Sequence, residues 1–275
     1  MEGCIPMIKA IAVDKDGTLF KSNHTFDEIY FEKIFEGITK RNIKFIVASG
    51  NQYAQLRSYF PGKEAQITYV AENGAVTYVD DTLVSSSHFD QQLTFDILQT
   101  IMVDYNISDV IVSGIKSAYV KSDCSDEFMN FITNYYYDIE KVENFSDIKD
   151  DQFVKVAMRI KDDNIVNQVK TGLESEYAHE IRAVTSGAES VDLILPGVNK
   201  GVAIQALLNQ WGIEQDELLA FGDANNDLEM LALTTHSYAM AKCSPELEKI
   251  AQHRAPSNDE SGVLQVIERY LKQQD

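Results

Sequence analysis

The first third of the chain alternates between two hydrophobic periods. Residues 7–13 form an apolar run of strand length, and positions 26–41 then place Phe26, Ile29, Tyr30, Ile34, Phe35 and Ile38 at helical spacing. Strands at 43–48 and 67–71 flank a helix at 52–60. Strand and helix alternating through short links predict a parallel sheet covered by helices. The last third repeats the rhythm, with a helix at 199–211, a strand at 217–221, a helix at 226–233, a strand near 236–240 and a final helix at 260–273.

The middle third breaks it. Residues 84–189 carry long polar stretches and clustered tyrosines (Tyr135, Tyr136, Tyr137), with strands expected at 109–113, 153–160 and 190–194 and helices at 91–104, 125–137 and 164–177. The expected architecture is α/β: a doubly wound, Rossmann-like parallel-sheet core from residues 1–84 and 190–275, with an α+β cap inserted at 85–189. Links near 82–86 and 187–191 are the expected hinges, with Gly187 the most permissive point.

At 275 residues and 44% hydrophobic, the chain is long enough to bury a real core. Its 24 basic and 43 acidic residues leave a net charge of −19, which repels phosphate backbones and argues against nucleic acid. Three widely spaced cysteines (Cys4, Cys124, Cys243) suit a reducing compartment, with Cys4 the most reactive candidate. No apolar run reaches membrane-spanning length and no leader pattern opens the chain, so the expectation is a cytoplasmic protein with no membrane partner, monomeric or a weak homodimer.

Candidate chemistry gathers where expected strands end, which is where a parallel sheet opens its ligand crevice. Asp14 and Asp16 end the first strand one residue apart, so both carboxylates face one side. At about 4 Å and an effective dielectric near 20 they repel by roughly 4 kcal/mol, which asks for a cation or a shared chemistry. Gly17 and Thr18 follow, the first allowing a sharp turn and the second offering a hydroxyl. Ser49-Gly50 after the second strand is a phosphate seat by its amides and hydroxyl. Lys200 opens a helix and can neutralise phosphate. Asp223, Asn226 and Asp227 share one side of a helix start by i, i+3, i+4 spacing. Each cluster alone also reads as an ordinary turn or helix cap. A calcium loop at 222–227 lacks the alternating ligands and the late glutamate.

Together, Asp14-Lys-Asp-Gly-Thr-Leu19, Ser49-Gly50, Glu72-Asn-Gly-Ala75, Gly197-Val-Asn-Lys-Gly201 and Gly222-Asp-Ala-Asn-Asn-Asp227 resemble the haloacid dehalogenase superfamily, specifically Cof-type phosphatases with the type IIB cap. The resemblance covers essentially the whole chain. It implies a Mg2+-dependent phosphatase acting on a small phosphorylated metabolite, such as a sugar phosphate or cofactor-type phosphate. By resemblance Asp14 is the nucleophile and Asp16 the acid and base. Asp14, Asp223 and the Asp16 main-chain carbonyl hold the metal, Ser49, Gly50 and Lys200 hold phosphate, and Asn226 and Asp227 support both. A phosphomutase, or a phospho-ligand-binding protein without turnover, would use the same residues. Two positions depart from the common pattern. Asn51 stands where many relatives carry arginine, and Lys15 replaces an often apolar residue, with the outer side of the loop its expected place. Cap residues Arg182, Thr185, Ser186 and the tyrosines are candidates for substrate choice.

Overall fold

The computed structural model describes residues 7–185 and 189–274. Cys4, Ser186 and Gly187 lie outside them. Fourteen strands and nine α-helices are described: β1 (Ala10–Asp14), α1 (Glu28–Lys40), β2 (Lys44–Ala48), α2 (Tyr53–Ser58), β3 (Ile67–Ala71), β4 (Val76–Val79), β5 (Thr82–Ser86), α3 (Gln91–Gln99), β6 (Val110–Gly114), β7 (Ala118–Lys121), α4 (Asp126–Ile132), β8 (Ile139–Val142), β9 (Phe153–Arg159), α5 (Asp163–Glu176), β10 (Arg182–Thr185), β11 (Ser190–Ile194), α6 (Lys200–Trp211), β12 (Leu218–Gly222), α7 (Leu228–Leu231), β13 (His236–Ala239), α8 (Pro245–Ile250), β14 (His253–Arg254) and α9 (Gly262–Gln273).

Eight strands form one sheet in the order β14-β13-β12-β1-β2-β3-β4-β5, parallel from β14 to β3. Side-chain alternation divides its two faces. Ile11, Val13, Phe45, Val47, Tyr69 and Phe221 pack under α1 and α9. Ala10, Ala12, Ile46, Ala48, Val70 and Ala220 pack under α6, α7 and α8. The small residues on the second face let the helix bearing Lys200 sit close to the sheet.

The second sheet runs β10-β11-β9-β6-β7-β8 and is antiparallel except for β7 with β8. One face packs α3 and α5. The other carries Ile111, Val120 and Ala157 against α4. It leaves the remainder of that face turned toward the core.

Several expectations change. Ile29 is 87% exposed, because Asp27 caps α1 and the buried stripe is Phe31, Ile34, Phe35 and Ile38. Phe26 precedes the helix and packs from the loop. Residues 76–86 form a hairpin onto β3, turning at Asp80 and Asp81 with positive φ of 50° and 59°. The expected hinge at 82–86 is therefore a hydrogen-bonded strand. The expected boundary at 190 also shifts, since β11 pairs with β9 and β10 in the second sheet. Of the expected link at 187–191, residues 187 and 188 lie outside the described residues and Ser190 and Val191 belong to β11; the chain leaves the cap sheet after Ile194. The cap helix expected at 125–137 ends at Ile132, which leaves all three tyrosines beyond it.

Candidate active site

Four turns at the carboxyl edge of the core sheet build the site. After β1 the chain wraps back on itself, with the Leu19 amide donating to the Asp14 carbonyl and the Phe20 amide to the Lys15 carbonyl (3.2 and 2.8 Å). Gly17 makes that wrap at φ +79°, and a Cβ there would stand 2.4 Å from Asp223 Oδ2. The glycine is thus what lets the β1 and β12 turns approach. Thr18 Oγ1 donates to Asp223 Oδ1 at 2.9 Å.

After β2, Ser49 Oγ accepts from the Asn51 amide, and the Ser49 carbonyl accepts from the Asn73 amide. Asn73 sits at φ +57°, a conformation that asparagine tolerates. Gly74 follows, and a Cβ on it would lie 2.4 Å from the Asn199 carbonyl oxygen, so the turn after β3 abuts the start of α6. Asn199 caps α6 by accepting from the Val202 amide, which fixes Lys200 as the first helical residue.

Lys200 is fully buried. Its ammonium lies 2.6 Å from Asp14 Oδ1 and 2.7 Å from Asp227 Oδ1. Asp227 Oδ2 in turn accepts the Asp223 and Ala224 amides at 3.0 and 3.1 Å. Burial alone would lower the Lys200 ammonium, but Asp14 and Asp227 outweigh it and hold it above the ordinary lysine value. Burial pushes the Asp14 carboxyl upward, opposed by Lys200 and reinforced by Asp227 and Asp223. Burial, then Asp227, raise Asp223 to about 6.

Carboxylate oxygens of Asp14, Asp223 and Asp227 lie within 4.8 Å of one another. Three acids facing one ammonium leave a site rich in hard oxygen donors and short of positive charge, which suits a Mg2+ ion. Both Asp227 oxygens are already engaged, so Asp14 and Asp223 are the side chains available to such an ion.

The sequence-predicted residues Asp14, Asp16, Ser49, Gly50, Asp223 and Asn226 line one cavity of about 260 Å³. Thr18, Lys200 and Asp227 stand behind it. Lys15 corrects the expectation of an outward-facing lysine. It is 2% exposed, lies against the Phe20 and Tyr59 rings, and holds Asp16 Oδ1 at 2.6 Å. Asn51 donates to Asp16 Oδ2 at 3.4 Å and to Gln55 Oε1 at 2.6 Å. Asp16 is thus gripped from both sides.

The cap closes the cavity with Tyr135, Tyr136, Lys155, Thr185, Ser190 and Asp192. Tyr136 also belongs to the cap core, and Tyr137 points to solvent. Arg182 bonds Glu229 across the cap edge at 3.3 Å. Lys155 and Asp192 carried no sequence signal beyond being polar positions in strands that must bury a face. Asn73 and Glu72 belong to the recognised Glu72-Asn-Gly-Ala75 stretch, whose contribution is visible only with the cap in place. Among the described residues no helix is long and apolar enough to cross a membrane.

Residues 11–267 match the haloacid dehalogenase-like hydrolase family. The chain is 34% identical over 265 residues to the 5-amino-6-(5-phospho-D-ribitylamino)uracil phosphatase YbjI of Escherichia coli (strain K12), covering 96% of this chain and 97% of that protein. It is 25% identical to the phosphatase of the same description, YitU, of Bacillus subtilis (strain 168), covering 95% and 97%. The crystal structure of SMU.1108c from Streptococcus mutans UA159 superposes with a TM-score of 0.89 at 34% identity, covering 96% of this chain and 99% of that one.

Proposed function

From its membership of the haloacid dehalogenase-like hydrolase family, to which this chain belongs as a phosphoric monoester hydrolase, we propose that it dephosphorylates a small sugar- or cofactor-type phosphate through a phosphoryl group carried on Asp14. One observation carries the assignment of roles. A fully buried lysine joins the carboxylates that end β1 and open α7, directly behind a cavity that a cap covers.

Phosphate monoesters are among the slowest of biological substrates to hydrolyse unaided, and a two-step route divides the barrier. Asp14 attacks phosphorus and must be ionised, a form that the Lys200 ammonium favours. Asp16 is half-exposed at the cavity wall and held at both oxygens, which suits a group that hands a proton to the leaving oxygen and then takes one from water. Ser49, the Gly50 amide and Lys200 hold the equatorial oxygens of the transferring group. Asn226 reaches the same cavity and is oriented by its donation to Asn73 Oδ1 at 3.1 Å. A Mg2+ ion held by Asp14, Asp223 and the Asp16 carbonyl would supply charge neutralisation for the phosphate oxygens. The shared description of YbjI and YitU makes the ribityl phosphate ester of an aminouracil the first substrate to try.

The test is hydrolysis of p-nitrophenyl phosphate and of that ester with Mg2+, with and without EDTA. Release of inorganic phosphate by the wild type, its loss with EDTA and its abolition in a folded Asp14→Asn variant are expected. An Asp14→Asn protein with near-normal turnover would rule out the proposed nucleophile, and phosphate reappearing on another position of the substrate would make the enzyme a mutase.

A further inference from the structure

We propose that Asp192, with Ser190 beside it on β11, reads hydroxyl groups on the leaving group, so that the enzyme selects open-chain polyol phosphates. The inference deepens the phosphatase reading and rests on it.

Asp192 is 2% exposed and lines the cavity that holds Asp14 and Asp16. Alternation on β11 sends Val191 and Leu193 into the larger cap core, so Ser190 and Asp192 share the opposite face. A buried carboxylate normally demands short, charge-assisted partners of about 2.7–2.9 Å. Asp192 has none of that quality. Asn73 Nδ2 stands 3.4 Å from its Oδ2, Ser190 Oγ stands 3.4 Å from its Oδ1, and the Lys155 ammonium is 3.8 Å away.

The Lys155 ammonium has stronger ties elsewhere. Lys155 lies 2.5 Å from Glu72 Oε2 and donates to the Gly50 carbonyl at 2.7 Å. Asn73 is oriented by accepting from Asn226 at its Oδ1, which leaves its Nδ2 no nearer to Asp192 than 3.4 Å. Asp192 is therefore a strong acceptor with capacity to spare, aimed into the space beyond the phosphate seat.

The chemistry that fits is a neutral chain of hydroxyls. A carboxylate or second phosphate on the leaving group would meet a buried anion. The wall also offers the Ser190 and Tyr135 hydroxyls and the Lys155 ammonium around the same space. Several alternating donors and acceptors suit several hydroxyls, whereas an ammonium could use only acceptors. A site built to hydrogen-bond hydroxyls rejects the analogue lacking them strongly, because its own buried groups are then left unpaired.

The experiment compares kcat/KM for D-ribitol 5-phosphate, n-pentyl phosphate and O-phosphoethanolamine, with p-nitrophenyl phosphate as a fourth ester. The wild type should prefer ribitol phosphate over the pentyl ester by at least a hundredfold. Asp192→Asn should shrink that ratio tenfold or more, chiefly through KM for the polyol, and Ser190→Ala by about threefold. Thermal melts report whether each variant is folded, and the serine variant carries the test should the aspartate variant not fold. A wild type indifferent between the two chains, a preference for phosphoethanolamine, or variants that slow both chains in parallel would each overturn the proposal. A wild type inert toward all four esters would instead sink the phosphatase reading, and this inference with it.

Discussion

Lys200 and Lys155 are both buried lysines wedged between acceptors, yet the first belongs wholly to the core and the second crosses from the cap. Lys200 joins Asp14 on β1 to Asp227 ahead of α7, elements that the parallel sheet fixes whether or not the cap is closed. Lys155 leaves β9 of the cap sheet and meets Glu72 and the Gly50 carbonyl in the core, with its ammonium 5.1 Å from the Tyr136 ring. Burial alone would lower its pKa, but Glu72, Tyr136 and Asp192 outweigh that and hold the ammonium well above the ordinary lysine value. Gln52 adds a second tie, accepting the Tyr137 and Asp138 amides of the cap. The difference separates a charge that builds the proposed reaction centre from a charge that registers the cap upon it. Lys155 bonds the very turn proposed to seat phosphate, so cap position and the shape of that turn are one variable.

The sharpest break of the comparison is to remove each ammonium in turn. Lys200→Met leaves Asp14 and Asp227 facing each other without a cation. We expect kcat to fall by about a thousandfold or more, with a stability loss on the order of 3–5 kcal/mol from an orphaned buried charge. Steady-state kinetics and urea titration measure both. Lys155→Met should cost comparable stability by orphaning Glu72, but kcat/KM should fall only about ten- to a hundredfold, since no reacting atom is touched. Lys155→Met with Glu72→Leu should regain most of the stability, because apolar replacement of both partners is often neutral, while the kinetic defect persists. Recovery of rate along with stability would show that Lys155 serves folding alone.

A smaller effect distinguishes the core acids from surface ones. Asp223 is raised to about 6 in the protein, above its unfolded value near 3.9. The folded state therefore binds protons more readily between those values, and stability in EDTA should decline as pH rises from about 4 to about 6. Glu268, held down to about 2 first by Lys33 and then Lys272, has the opposite sign and should lose its contribution as pH falls from about 4 toward 2. Mg2+ should raise the melting temperature at pH 7 by mass action and raise it less below pH 6, where protons compete for the same oxygens. A Mg2+ increment independent of pH would place the ion away from Asp223.

The core was legible in the sequence because its strands are buried on both faces and so read as plain apolar runs, as residues 43–48 and 217–221 do. The turns after β1, β2 and β12, which carry Asp14, Ser49 and Asp223 of the candidate site, were legible because each follows such a run. Less was visible where partners are far apart in the chain. Strands β7, β8 and β10 are short and half-polar, since one end or face meets solvent or the core, and their alternation is weak. Asp192 and Lys155 resemble ordinary polar strand residues until β9 and β11 are brought against the turns at 49–51 and 72–74. Lys15 is the instructive miss. A lysine between two acids in a loop reads as solvated, and only the approach of Phe20 and Tyr59 makes a buried cation affordable there.

Lys15 also supplies the finest test, as a third buried lysine that neither touches the cap nor joins the Asp14 pair. Its ammonium engages the Asp16 oxygen that Asn51 does not, so the two side chains together fix the carboxylate's rotation. Lys15→Met keeps the long apolar stem over the two rings and deletes only the charge, which isolates the ionic contact from packing. Asn51 still holds one oxygen at 3.4 Å, so the carboxylate should loosen rather than leave. A loosened proton donor matters most when the leaving oxygen is basic and needs the proton in the transition state. The variant should therefore hydrolyse n-pentyl phosphate about five- to tenfold more slowly while losing less than about threefold on p-nitrophenyl phosphate. Equal losses on both esters would mean that Lys15 props the loop as a whole, and the orientation of Asp16 would then rest on Asn51 and the backbone turn.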